Sequence, residues 1–313
     1  MDIWNVISQM TVLLVLMAVG YVSCRAGWID GHSNRFFAKV LINVACPCMM
    51  LSSLSEAKTG ERGLLVRILI CAAALFVILP VLAKLLRLLT GFGKEEAFVY
   101  EIMFYLSNMG FMGMPVVASV YGADGILYIA IFNLIYNFLM YGYAASVLDR
   151  HGGLRRGFEV KKLLSPPIAA GFVTLLFYSF SLRFPPLLER CIDSLGAMTT
   201  PLAMMVVGAN LAMIPAKKIF LNWRIYVMCA VRLLLMPVLI YLVFSLFVSE
   251  NLLLGVITLI AAMPVAANLP VLCQFSGLEH ASQTASQGVL VSTVLSVLTI
   301  PLIAMFMNGF GML

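Results

Sequence analysis

Two stretches of this chain combine residue types suited to binding ions rather than to covalent chemistry. One is "LSNMGFMGMP" at 106–115, with Asn108, Gly110, Gly113 and Pro115; the other is "MPVAANLP" at 263–270, with Pro264, Asn268 and Pro270. Proline lacks the N–H that closes a helical turn, its ring crowds the carbonyl four residues back, and glycine lowers the cost of leaving helical geometry. Each stretch therefore predicts a helix that unwinds and restarts. Pro115 strips the carbonyl of Phe111 of its donor, so the first helix is expected to open near its middle and restart at Pro115, a residue suited to the first helical position. Pro270 does the same to the carbonyl of Ala266, and Pro264 loosens the turn before it. A restarting helix presents free N–H groups and a positive dipole end, and the end preceding the break presents carbonyls. With the side-chain amides of Asn108 and Asn268 nearby, the chemistry expected is recognition of a small anion, with a cation at the carbonyl ends as a further expectation.

One charge lies among apolar residues, Arg232 in "VRLLLMPVL". If its helix starts near Trp223, nine residues at about 1.5 Å each place it roughly 13 Å deep, near the midplane of a bilayer core about 30 Å thick. A charge there faces the interior of a helix bundle. Two readings stand side by side: a carboxylate partner through two parallel hydrogen bonds, or a structural group bonded to the carbonyls freed at the breaks. Other chemistries find no residues. There is no His-Glu-x-x-His pair, acid dyad or serine with a nearby base. His32, His151 and His280 fall in expected loops, and the seven cysteines lack redox or zinc spacing and read as packing residues. No metal, cofactor or enzymatic activity is expected.

The elements that must position these residues follow from composition. Of 313 residues, 62% are hydrophobic and 11% charged, with mean hydropathy +1.03. That balance predicts an all-α polytopic membrane protein embedded in a lipid bilayer. Apolar runs define ten spans, at 3–24, 35–54, 64–89, 97–120, 125–148, 163–182, 187–213, 219–248, 252–274 and 284–308. They are too long and unalternating for barrel strands. The start "MDIWNVISQM" has no basic region, so the first span is expected to be retained rather than cleaved. The net charge of +6 needs no nucleic acid partner, because the basic residues gather in alternate connections, among them Arg25, Lys39, Lys94, Arg155, Arg156, Lys161, Lys162, Lys217 and Lys218. The positive-inside rule then places both termini outside.

The chain also repeats itself. "NVACPCMMLSSL" matches "GAMTTPLAMMVVG", "RILICAAALFVILPVL" matches "RIYVMCAVRLLLMPVL", and "NMGFMGMPVV" matches "MPVAANLPVL". These align Pro47 with Pro201, Pro80 with Pro237 and Pro115 with Pro270, each at a separation of about 155 residues. The halves are 1–148 and 163–313, joined by a polar connection at 149–162. Five spans per half means the second enters from the opposite face, the 5+5 inverted repeat of many secondary transporters, with the broken spans four and nine at equivalent places.

With these residues in view, "NMGFMGMP", "AMPVAANLP", "PLAMMVVGANL" and "VRLLLMPVL" resemble the auxin efflux carrier family, and the likeness covers nearly the whole chain. That family includes plant auxin carriers and bacterial permeases for malate, malonate and related acids; the short central connection here is similar to the bacterial branch. The resemblance implies a fold like that of bile acid and sodium/proton transporters. Spans four and nine would cross at Pro115 and Pro270 and carry substrate in a moving domain of spans three to five and eight to ten. Spans one, two, six and seven would form a scaffold and a homodimer contact. It further implies an elevator-type, alternating-access carrier in a bacterial inner membrane.

Coupling stays open at this level. Spans eight to ten have no interior Asp or Glu, Glu101 near the start of span four is a weak proton carrier, and sodium on backbone carbonyls or uncoupled anion flux are the alternatives. Two competing classes remain: a sodium-coupled bile acid-type carrier, and a membrane sensor that binds the anion without moving it.

Overall fold

The computed structural model describes residues 3–56, 62–90, 97–153, 165–213 and 222–309. Most of the expected central connection lies outside them, as do Lys94, Lys217 and Lys218. The regular elements among the described residues are all helices. The first helix, α1, is Ile3–Arg25; α2 runs over 31–56; α3 is Arg62–Thr90; and α4 is Ala97–Tyr105. Next, α5 (109–121) and α6 (123–151) meet at Gly122, and α7 is Pro166–Ser179. The remainder comprises α8 (186–213), α9 (223–244), α10 (Asn251–Ala262), α11 (Leu269–Phe275) and α12 (Glu279–Gly309). Among the described residues, six stretches are long and apolar enough to cross a membrane, at 31–54, 63–88, 109–151, 186–213, 223–244 and 279–309. The expected spans 97–120 and 252–274 are each broken in two, which shortens their pieces.

Local chemistry accounts for many boundaries. Asp30 caps α2 by accepting from the Ser33 N–H at 2.7 Å, and this bond holds the carboxyl below its usual pKa. Asn222 accepts from the Arg224 N–H at 3.1 Å and opens α9, and paired prolines start α7 and α8. Gly122 has φ 63° and ψ −147°, which only glycine adopts at little cost, and there the chain reverses from α5 into α6.

A second local device recurs. Five-residue π turns at Leu41–Ala45, Met109–Gly113 and Val231–Leu235 each end two residues before a proline: Pro47, Pro115 and Pro237. In each, the residue preceding the proline donates to a carbonyl five back: Cys46 to Leu41, Met114 to Met109, Met236 to Val231. The widened turn moves the crowded carbonyl away from the proline ring while keeping the preceding N–H bonded. A fourth π turn, Leu139–Ala144, has no proline after it.

Helices α1, α2, α7 and α8 pack together, and α3–α6 pack with α9–α12; α6 lies against α2 and α7, and α1 against α12. Helices α1 and α8 approach backbone to backbone. A Cβ on Gly208 would sit 1.9 Å from the Met17 carbonyl oxygen, and one on Gly20 2.2 Å from that of Met205. On α3 the outward stripe Val66, Ile70, Val77, Val81, Leu85 and Leu88 is exposed and apolar, a surface suited to lipid.

Candidate functional site

The site starts with the two breaks. Leu106, Ser107 and Asn108 separate α4 from α5, and residues 263–268 separate α10 from α11. The two segments pair with one another: Ser107 and Val265 form an isolated antiparallel bridge. The Asn108 N–H donates to the Pro264 carbonyl at 2.8 Å, and the Ala266 N–H to the Leu106 carbonyl at 3.0 Å. Side chains supply further bonds. The Val265 N–H donates to Ser292 Oγ at 3.1 Å, and Tyr136 Oη donates to the Ser107 carbonyl at 2.6 Å. In the bilayer interior each of these groups, unbonded, would cost several kcal/mol, so each break is the other's principal hydrogen-bond partner.

The break in the first segment differs from the sequence expectation. The chain opens at 106–108, not at Pro115, and Pro115 lies well inside the restarted helix, where the π turn at Met109–Gly113 accommodates it. Gly110 and Gly113 lie in that turn. In the second segment Pro264 is in the break and Pro270 is the second residue of α11, while the Ala266 carbonyl, expected to lack a donor, accepts from the Leu269 N–H at 3.1 Å.

Around this crossing the helix ends sort by sign. The carbonyl-bearing ends of α4 and α10 meet on one side, and on the other lies a cavity of about 100 Å³. Its wall includes Ser107, Asn108, Met109, Gly110 and Phe111 at the opening of α5, and Ala266, Ala267 and Asn268 before α11. Asn108, 4% exposed, also caps α5, accepting from the Phe111 N–H at 3.4 Å. A Cβ on Gly110 would meet nothing within 4 Å, so the backbone faces open space there. A Cβ on Gly113 would instead sit 3.3 Å from Ile129 Cδ1.

Thus Asn108, Gly110 and Asn268 come together on the cavity, while Gly113, Pro115, Pro264 and Pro270 shape the backbone behind it. Arg232 is fully buried and is not on the cavity wall. Its Nη1 donates to the Phe104 carbonyl at 2.7 Å and its Nη2 to Ser107 Oγ, which donates in turn to the Ile260 carbonyl at 2.9 Å. Glu101 pairs with Arg87 at 2.8 Å, away from the crossing.

Sequence reasoning missed the far wall. Asn133, Tyr136, Asn137, Met140 and Tyr141 of α6 line the cavity, with Cys46 of α2 and Ser165 and Pro167 at the start of α7. The signal was "NLIYNFLMY": polar residues three and four apart in an apolar helix, which places them on one face.

Broken helices bonded to each other at their breaks, beside a cavity whose wall includes asparagines and tyrosines, define a class: a helical membrane protein with a cavity inside its own bundle. The chain belongs to the membrane transport protein family, whose model matches residues 5–157 and again 154–304; this is the auxin efflux carrier family that the motifs resemble. Among its relatives, a "Putative malonate transporter" of Rhizobium meliloti is 25% identical over 91% of this chain and 90% of its own. Two archaeal proteins, each an "Uncharacterized transporter", are similar. That of Methanocaldococcus jannaschii is 26% identical over 64% of this chain and 67% of its own, and that of Methanothermobacter thermautotrophicus 25% over 93% and 94%.

Proposed function

We propose that this protein is a secondary carrier for a small organic anion, a carboxylate such as malonate or malate or an auxin-like acid. The observation that carries the reading is the crossing cavity. Amides of Asn108, Asn133, Asn137 and Asn268 and the hydroxyl of Tyr141 surround the opening turn of α5, and no Asp or Glu is among the described lining residues. Amide and backbone N–H donors at a helix start match carboxylate oxygens, and the name of the Rhizobium relative supports malonate first.

The architecture belongs to the same proposal. Joined across their breaks, α4 with α5 and α10 with α11 make spans four and nine of ten, and the antiparallel pairing of the breaks supports two halves of opposite orientation. The packing of α1, α2, α7 and α8 supports a scaffold, with the other helices as the moving, elevator-type body. The cavity reaches Ser165 and Pro167, beside the connection we place inside, so this conformation faces inward. Both termini lie outside, in a bacterial inner membrane, and the scaffold joins two copies in a homodimer.

Uptake of labelled malonate, malate and larger carboxylates into proteoliposomes tests the reading. Saturable flux that Asn108→Ala and Asn268→Ala each abolish is the expected result. Binding without flux for any acid would favour a sensor, and flux driven only by a sodium gradient would favour a bile acid-type carrier.

A further inference from the structure

We infer that Arg232 is a built-in counter-ion at the helix crossing, filling the place a co-transported cation would occupy, so that the protein needs no sodium. Two helices, α4 and α10, end at the crossing and point their carbonyl ends at one spot. Each end carries the equivalent of about half a negative charge. One guanidinium neutralises both: directly at the Phe104 carbonyl, and through the Ser107 hydroxyl at that of Ile260.

No carboxylate among the described residues forms an ion pair with Arg232. A buried charge without an ionic partner is costly unless oriented dipoles replace its water, and the two carbonyl ends supply such dipoles. The match is incomplete, because Arg232 Nε has no hydrogen-bond partner among the described residues. An arginine selected only to tie up carbonyls would gain by satisfying all its donors, whereas one selected for its charge tolerates the loss. Carbonyl ends of broken helices and a hydroxyl are the oxygen ligands a bare sodium ion takes in carriers built this way. Here the guanidinium holds them.

Its position also bears on the anion. Ser107 is at once a ligand of Arg232 and a wall of the cavity. The positive charge therefore lies one residue behind the site and reaches an anion through its field rather than by contact. Because its partners belong to the broken helices themselves, Arg232 moves with the site and never leaves the protein.

The consequence for coupling rests on the carrier reading; the occupancy of the crossing does not, and the two are separable. Purified wild type, Arg232→Ala and Arg232→Lys are melted in sodium, lithium and choline chloride at equal ionic strength, and malonate flux is measured in sodium and in choline. For wild type, equal melting temperatures and equal flux in all salts are expected. Arg232→Ala should melt lower in choline and recover part of the loss in sodium or lithium, while Arg232→Lys should lose less and show no salt preference. Sodium-specific stabilisation of wild type, or flux in wild type that requires sodium, would overturn the inference. So would an Arg232→Ala protein as stable as wild type in choline. Should Arg232→Ala fail to fold, the wild-type and Arg232→Lys arms decide by the same criteria. Absence of flux for every acid tried would count against the carrier reading alone, since the melting experiment reads the counter-ion without transport.

Discussion

Gly110 shows what a single residue does at the crossing. It contributes bare backbone to the cavity wall, and a methyl group there would project into open space. Gly110→Ala should therefore leave the melting temperature near that of wild type while narrowing a cavity of about 100 Å³. The expected result is weaker binding, more so for malate than for the smaller malonate, measured as the concentration for half-maximal flux. Asn108 carries two duties, because it both caps α5 and faces the cavity. Asn108→Ala should cost about 1 kcal/mol in stability from the lost cap in addition to its loss of flux, whereas Asn108→Asp should keep the cap and still lose flux by setting a negative charge against an anion. Side by side, the two variants separate folding from recognition. The identities of both asparagines were legible in sequence because they flank backbone-breaking residues. Asn133 and Asn137 were not, since an amide inside an unbroken helix gains meaning only from what its face meets.

Among the elements, the fit of α1 on α8 sets a tight constraint. Gly20 and Gly208 bring each helix against the other's backbone, at the Met205 and Met17 carbonyls. Backbone cannot rotate aside as a side chain can, so Gly208→Ala must push the helices apart. A loss of about 1–3 kcal/mol is expected, the usual cost of overpacking, read as a lower melting temperature in detergent with substrate affinity unchanged in the protein that remains folded. This contact was invisible in sequence: glycines in apolar helices are common, and nothing local says which two meet. The breaks themselves were half legible. Proline and glycine predicted that helices would open, but the first opened at Leu106–Asn108 because the π turn before Pro115 absorbs the missing donor. That the two breaks bond each other could not be read from either alone, since the pairing of Ser107 with Val265 joins residues far apart in the chain.

For the whole molecule, the direction in which the cavity faces makes a prediction. The native Cys46 on its wall is buried, with Sγ 3.8 Å from the Gly110 carbonyl oxygen, and is a poor reporter. A cysteine introduced by Gly110→Cys, where a Cβ would meet nothing within 4 Å, should react with a small membrane-impermeant thiol reagent from the side of the central connection, and malonate should slow the reaction by occupying the cavity. Labelling of inside-out and right-side-out vesicles, with the wild-type protein as the control for the native cysteines, checks both points. Equal labelling from both sides, unaffected by substrate, would contradict an inward-facing cavity. On a different flank, a recess of about 350 Å³ lies among Ser52 and Ser53 of α2, Gly122 and Ala123, and Gly196 and Ala197 of α8.

The four π turns bear on which changes in chain length this fold accepts. Each holds one residue more than an α turn would, and the helices on either side already face as they would without it. Where a proline follows, removing that residue would return a carbonyl to the proline ring, so the turns before Pro47, Pro115 and Pro237 are fixed in length. No proline follows Leu139–Ala144. Deleting Gly142 should close that turn as ordinary helix, keep Asn133 and Asn137 on the cavity and leave Asp149 bonded to Ser276. Of four single-residue deletions, one per turn, it should be the mildest by melting temperature, and the chain would tolerate a gap in the middle of a membrane helix where gaps are ordinarily lethal to folding.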